Sequence, residues 1–256
     1  MGPGRGPGAH AGHDQVAQPV TMRIDVVPDA EALAQEAARR VLAVAREAAA
    51  ESGQCSLVLT GGSTPRRLYE LLSAEPYRQE MPWDAIDWFW GDERCVPPDD
   101  DRSNFRLARE ALLARVPVDR ARVHRIEGEA PPARAALAYE GVVRDIVTDG
   151  GFDLVLLGAG ADGHTASLFP GHPALHERER WVVAVHEARA EPVPDRVTMT
   201  FALLHRARST LVLAAGSAKR TVVRAVRTDP AEAARRYPAA CMQGPTVAWL
   251  VDEAAA

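Results

Sequence analysis

The sequence predicts a doubly wound, mainly parallel α/β sheet with helices on both faces, built as one domain. Three observations carry this. From residue 22 onward, apolar β-rich runs alternate with helical patterns. The runs are continuously apolar rather than alternating, as strands covered on both faces require. No internal repeat or strong linker divides the 256-residue chain, and the one candidate sub-boundary, "VDRARVHRIEGEAPPARAAL", is weak.

The elements follow in order. "MRIDVV" reads as the first strand, and Met22 is a candidate start for the folded chain. "DAEALAQEAARRVLAVAREAAAE" is the clearest helix: Asp29 is placed to cap it, and Leu33, Ala37, Val41 and Val44 share one face. "CSLVLT" is a strand, followed by the helix "TPRRLYELLSAE" with Pro65 in its first turn. "IDWFWG" is the next strand, and "SNFRLAREALLARV" the next helix, with Ser103 as its cap. "PPARAALAYEGVVRDIV" leads into the strand "FDLVLLG", and "WVVAVH" follows as another strand. "PVPDRVTMTF" is a further extended run. "STLVLAAG", the helix "GSAKRTVVRAVR" and the strand "TVAWLV" close the chain.

Composition excludes several function classes. A hydrophobic content of 46% supports a sizeable core, and a net charge of −5 with interspersed signs predicts no nucleic-acid or membrane-surface partner. An anionic ligand must therefore be held by local positive charge. No stretch approaches a membrane span. Residues 1–21, rich in Gly and Pro and without an apolar h-region, read as a disordered tail rather than a signal peptide. Cys55, Cys95 and Cys241 are sparse, odd in number and form no C-x-x-C, which fits a reducing cytoplasm. Cys55 reads as a core residue. No metal site is expected: His10 and His13 lie in the tail, and Pro173 separates His172 from His176. Nothing in the sequence fixes an oligomeric state.

In open parallel sheets, ligands bind beyond the carboxyl ends of the strands. After "LVLT" come Gly61, Gly62, Ser63 and Thr64, then a helix. Adjacent glycines let backbone N–H groups approach an anion, the hydroxyls add donors, and the helix terminus adds its dipole. An ordinary capped turn has the same pattern. After "IDWFW" come Asp92, Glu93 and Arg94, either a site or a solvated turn. After "STLVLAAG" comes Lys219, whose charge in a first helical turn opposes the dipole unless an anion offsets it. Arg196 opens another extended run and could face the same end.

The stretch "GAGADGHTASLFPG" fits G-x-G-x-x-G, a dinucleotide-binding spacing. Yet Pro170 and Gly171 interrupt any following helix, and Glu177 and Glu179 precede a strand instead of ending one. A nicotinamide cofactor is therefore not expected. What remains is a glycine turn presenting Asp162 and His164, a general base near neutral pH and a carboxylate to orient it.

"LTGGSTP", "WGDER", "GAGADGHTASLFPG" and "AAGSAK", in this order, closely resemble the 6-phosphogluconolactonases. These share a superfamily with the glucosamine-6-phosphate deaminases, and the likeness spans residues 22 to 251. The resemblance implies a Rossmann-like sandwich that hydrolyses 6-phospho-D-glucono-1,5-lactone to 6-phosphogluconate in the oxidative pentose phosphate pathway, without a cofactor. It implies His164 as base and Asp162 as its partner. Arg196 and Lys219 would bind phosphate beside Gly61, Gly62, Ser63 and Thr64, with Asp92 and Arg94 as further site residues. The deaminases carry a glutamate five residues beyond the motif histidine, where this chain has Phe169, and a Met-Asp-Glu-Tyr-type motif where it has Gly91-Asp92-Glu93-Arg94. The alternatives are that deaminase activity, or a non-catalytic sugar-phosphate sensor. A sensor would be expected to carry a DNA-binding module, and none precedes residue 22.

Overall fold

The computed structural model describes residues 22–147 and 151–256. The tail expected over 1–21 lies outside the described residues. The strands are β1 (Arg23–Val27), β2 (Cys55–Leu59), β3 (Ile86–Trp90), β4 (Asp92–Arg94), β5 (Leu154–Gly158), β6 (Val182–His186), β7 (Asp195–Met199), β8 (Ser209–Ala214) and β9 (Thr246–Asp252). Six of them form one parallel sheet in the order β1-β9-β8-β5-β2-β3. The chain moves from β2 outward to β3, then returns to β5 on the other side of β2. Direction therefore reverses between β2 and β5, and right-handed crossovers place the helices before and after the reversal on opposite faces.

The helices are α1 (Ala30–Ser52), α2 (Ser63–Leu72), α3 (Tyr77–Glu80), α4 (Asn104–Ala108), α5 (Pro132–Ile146), α6 (Phe201–Leu204), α7 (Arg220–Thr228) and α8 (Pro230–Arg236). Helix α1 starts where the sequence says it should. The Asp29 carboxylate accepts from Ala32 N at 2.8 Å, and Gly53, at φ 76°, ends the helix by donating to Ala49 O. Leu33, Ala37 and Val41 are fully buried, but the stripe continues through Ala45 and Ala48, leaving Val44 half-buried. Full burial of Leu33 or Val41 is worth about 1.5–3 kcal/mol each. Cys55 is buried in the same core.

Two expectations need correction. "WVVAVH" is not part of the parallel sheet: β6 pairs antiparallel with β7, which pairs antiparallel with β4, in a separate three-stranded sheet. Its burial is broken rather than continuous: Val182 and Val185 are buried while Ala184 and His186 are exposed. The helix expected from "SNFRLAREALLARV" does start at Ser103, whose hydroxyl accepts from Arg106 N, but it widens into a π-helical turn over Arg109–Leu113. The candidate boundary "VDRARVHRIEGEAPPARAAL" is no boundary. His124 N donates to Trp88 O at 2.9 Å and Val123 bridges Trp88, so this segment runs along the edge strand β3. A single hydrophobic core joins both sheets, from Trp88 and Trp90 to Val182 and Val197.

Candidate active site

The carboxyl ends of β8, β5 and β2 are neighbours in the sheet, so the segments that follow them converge. Behind β2, the Tyr69 hydroxyl donates to Thr60 O at 2.7 Å and accepts from Thr60 N at 3.0 Å, fixing the start of the turn. Gly62 has φ 97°, and no side chain caps α2. A Cβ on Gly61 would lie 1.8 Å from Asn104 Oδ1, so the turn packs directly against α4.

Behind β5, the 158–171 stretch forms turns and no helix, which removes the dinucleotide reading. Gly160 N donates to His164 O and Gly163 N to Gly160 O, closing a tight loop. Gly160 is required by contact, since a Cβ there would lie 2.2 Å from His164 Nδ1 and 2.5 Å from Asp162 Oδ1. Gly163 has φ 83° and lies against the Tyr237 ring. This loop sets His164 Nδ1 2.6 Å from Asp162 Oδ1, while the same oxygen accepts from His164 N at 3.2 Å. The imidazole hydrogen bond holds the Asp162 carboxyl down at about 2, against the opposing effect of burial. An ionised carboxylate only accepts, so Nδ1 carries a proton, and in the neutral imidazole Nε2 is the nitrogen with the free lone pair. Phe169 packs against the imidazole, with ring centroids 4.9 Å apart.

The short strand β4 separates two neighbouring carboxylates by role. Glu93 points inward and accepts from Ser103 Oγ, Asn104 N, Phe105 N and Arg94 N. Burial pushes its carboxyl up and these donors oppose that. It anchors α4 and does not face the cleft. Asp92, on the opposite face, accepts from Ser167 Oγ at 2.6 Å and from Asn104 Nδ2 at 3.2 Å. Register in the small sheet sets Arg94 opposite Arg196. Like charges in that position repel, and neither arginine makes an ion pair among the described residues. Arg94 donates to Arg102 O, and Arg196 Nη2 to Ala190 O at 3.1 Å. Arg196 is only 8% exposed, and its Nη1 is buried without a partner. Burial, with Arg94 beside it, draws its pKa below the usual value.

Asp92, Arg94, Asp162, His164 and Arg196 line one cleft of about 550 Å³. Gly61–Thr64 and Lys219, expected in the same site, are not among its lining residues. Lys219 lies at the end of a 3-10 turn after β8; burial lowers its pKa, and the nearby Asp162 charge opposes this. Sequence reasoning missed Ser167, Glu187 and Arg189 in the lining. Glu187 and Arg189 form a tight pair, with Nε to Oε1 at 2.7 Å, on the β6–β7 connection. The signal for them was a charged cluster directly after "WVVAVH". Among the described residues no cluster of metal-ligating side chains occurs.

Fold and site together define an α/β enzyme with a His–Asp pair in a charged cleft at the switch point of its sheet. The profile of the family described as glucosamine-6-phosphate isomerases/6-phosphogluconolactonase matches residues 28–249, and the chain belongs to that family. A 6-phosphogluconolactonase of Streptomyces coelicolor is 37% identical, covering 92% of this chain and 94% of its own. The 6-phosphogluconolactonase of Mycobacterium tuberculosis is 38% identical over 91% of this chain and 96% of its own. Among solved structures, the 6-phosphogluconolactonase of Thermotoga maritima superposes with a TM-score of 0.79 at 29% identity, covering 91% of this chain and 100% of that one. A monomeric glucosamine-6-phosphate deaminase, at 24% identity and a TM-score of 0.75, shares the fold.

Proposed function

We propose that this chain hydrolyses 6-phospho-D-glucono-1,5-lactone to 6-phospho-D-gluconate, the lactonase step of the oxidative pentose phosphate pathway, with His164 as general base. The observation that carries this reading is the oriented His164–Asp162 pair opening into a cleft where Arg94 and Arg196 make no ion pair among the described residues. A lactone is an activated ester, so water can attack C1 without a covalent enzyme intermediate. His164 Nε2 takes a proton from that water as its oxygen bonds to C1. Asp162 stabilises the imidazolium through Nδ1–H. The tetrahedral intermediate collapses, the bond from C1 to the ring oxygen breaks, and His164 returns the proton to the departing oxygen. The product is the open-chain carboxylic acid, which ionises in water. General-base assistance of this kind supplies about 10²–10⁴-fold.

Arg196, with its unpartnered Nη1, and Arg94 are the lining arginines outside any ion pair among the described residues, and we assign them to the substrate's charged groups. Lys219, near the Asp162 charge, and the Gly61–Thr64 turn, packed against Asn104, complete the phosphate site in this reading. Phosphate held there supplies binding energy that orients the ring. Phe169 favours the lactonase over the deaminase. It sets an apolar ring against the imidazole at the position where a deaminase would carry its acid. The free cysteines fit a cytoplasmic enzyme, and no described helix is long and apolar enough to cross a membrane.

The test is an assay of the purified protein on fresh 6-phosphogluconolactone and on glucosamine 6-phosphate, with spontaneous hydrolysis subtracted. Lactone loss well above background without ammonia release is expected. Catalytic ammonia release would reverse the assignment.

A further inference from the structure

Ser167 lies three residues beyond His164, lines the same cleft, and is 1% exposed. Its hydroxyl proton is committed: Oγ donates to Asp92 Oδ2 at 2.6 Å, a short charge-assisted bond. Asp92 cannot turn away to release it. Its other carboxylate oxygen accepts from Asn104 Nδ2, and the same amide also donates to Asp92 O at 3.0 Å. Asn104 is in turn held at 2% exposure by the cap that Glu93 gives to α4. From the other side, Ser167 N donates to the buried Thr198 Oγ1 at 3.2 Å. The serine is thus fixed in rotamer and in proton direction. A hydroxyl whose proton is taken offers its neighbours only lone pairs. In a cleft whose other polar lining is mostly charged, arginines and carboxylates together, a fixed neutral acceptor of this kind suits a hydroxyl group of the ligand.

We propose that Ser167, oriented by Asp92 and Asn104, accepts a hydrogen bond from the C2 hydroxyl of the lactone and so selects for substrates that carry it. The inference rests on the lactonase reading above. C2 is bonded to C1, where His164 acts, and lies at the opposite end of the sugar from the C6 phosphate. A residue three positions from the base, on the same loop and in the same cleft, is placed for that end. A 2-deoxy substrate would leave a buried acceptor without its partner, and sites built around a hydroxyl discriminate against analogues lacking it. Asp92 and Asn104 are positioning residues here, and Ser167 is the one that touches substrate.

The experiment compares 6-phosphogluconolactone with its 2-deoxy analogue, each rate divided by that lactone's spontaneous hydrolysis to remove differences in intrinsic reactivity. The wild-type protein should favour the parent in kcat/KM by on the order of 10-fold or more. Ser167→Ala should lose a similar factor on the parent and change little on the 2-deoxy lactone, so the preference collapses. Thermal melting of the variant shows whether it folds, and the wild-type comparison stands even if it does not. Equal normalised rates on both lactones in the wild type would overturn the proposal, as would an equal loss on both in Ser167→Ala. Failure of the wild type to hydrolyse the parent at all would instead sink the lactonase reading, and this inference with it.

Discussion

Replacing Arg196 by methionine should weaken the grip on substrate while leaving the fold as stable as before, or more so. The guanidinium is buried, faces the like charge of Arg94, and has one nitrogen without a partner. Its tie to the rest of the protein is the bond from Nη2 to Ala190 O. Losing that bond costs about 1 kcal/mol, whereas removing a buried unpaired donor relieves about 1–3 kcal/mol. Methionine keeps most of the apolar stem packed. The balance is a stabilisation of about 0–2 kcal/mol, or a rise in Tm of up to about 8 °C at about 2–4 °C per kcal/mol. The same change removes a charge-assisted contact to the substrate anion, worth about 1.5–3 kcal/mol, or about 10- to 150-fold in KM. Calorimetry and initial rates on the lactone with and without its 6-phosphate measure both effects. The KM penalty should shrink on the lactone lacking phosphate. A fall in Tm of several degrees, or equal losses on both lactones, would refute the reasoning and make Arg196 a structural residue.

Three further outcomes follow from other parts of the structure. Lys219→Ala should also raise KM mainly on the phosphorylated lactone; an unchanged KM there would remove Lys219 from the phosphate site. Gly163→Ala should cost activity and about 1–3 kcal/mol of stability, because φ is 83° and the new Cβ would lie 2.4 Å from Tyr237 Cδ1; a variant matching wild type in urea titration and rate would contradict this. Glu36 is held at about 2, chiefly by its hydrogen bond to Arg39 and then by Arg40, against an ordinary value of 4.5. Its folded pKa is depressed, so its stabilisation is fully present above pH 4.5 and is lost as pH falls toward 2. Glu36→Gln should therefore destabilise by about 1 kcal/mol at pH 7 after solvent screening, and the deficit should vanish in urea titrations near pH 2.

The elements most readable in the sequence were those whose cause is local. Asp29 and Ser103 cap the helices they were expected to cap, and the apolar runs that became β2, β3, β5, β8 and β9 are largely buried as their composition implies, whereas "MRIDVV" became the edge strand β1, half-buried at most. The His164–Asp162 pair was legible because both residues sit two positions apart in one glycine turn. What the sequence hid depends on pairing between distant segments. The antiparallel sheet that sets Arg94 against Arg196 joins residues about a hundred positions apart, and "WVVAVH" has the composition of a parallel-sheet strand. Glu93 and Asp92 are adjacent in sequence, yet strand alternation sends one to cap α4 and the other to the cleft. Ser167 escaped notice because its importance comes from Asp92, 75 positions away.

The central claim is that His164, oriented by Asp162, activates water. It is tested most directly by initial rates of His164→Gln against wild type on fresh 6-phosphogluconolactone, corrected for spontaneous hydrolysis. The account predicts a kcat lower by about 10²-fold or more with KM little changed, because the imidazole acts in the transition state and not in holding the substrate. A variant that kept wild-type kcat, or that lost activity only through KM, would contradict it.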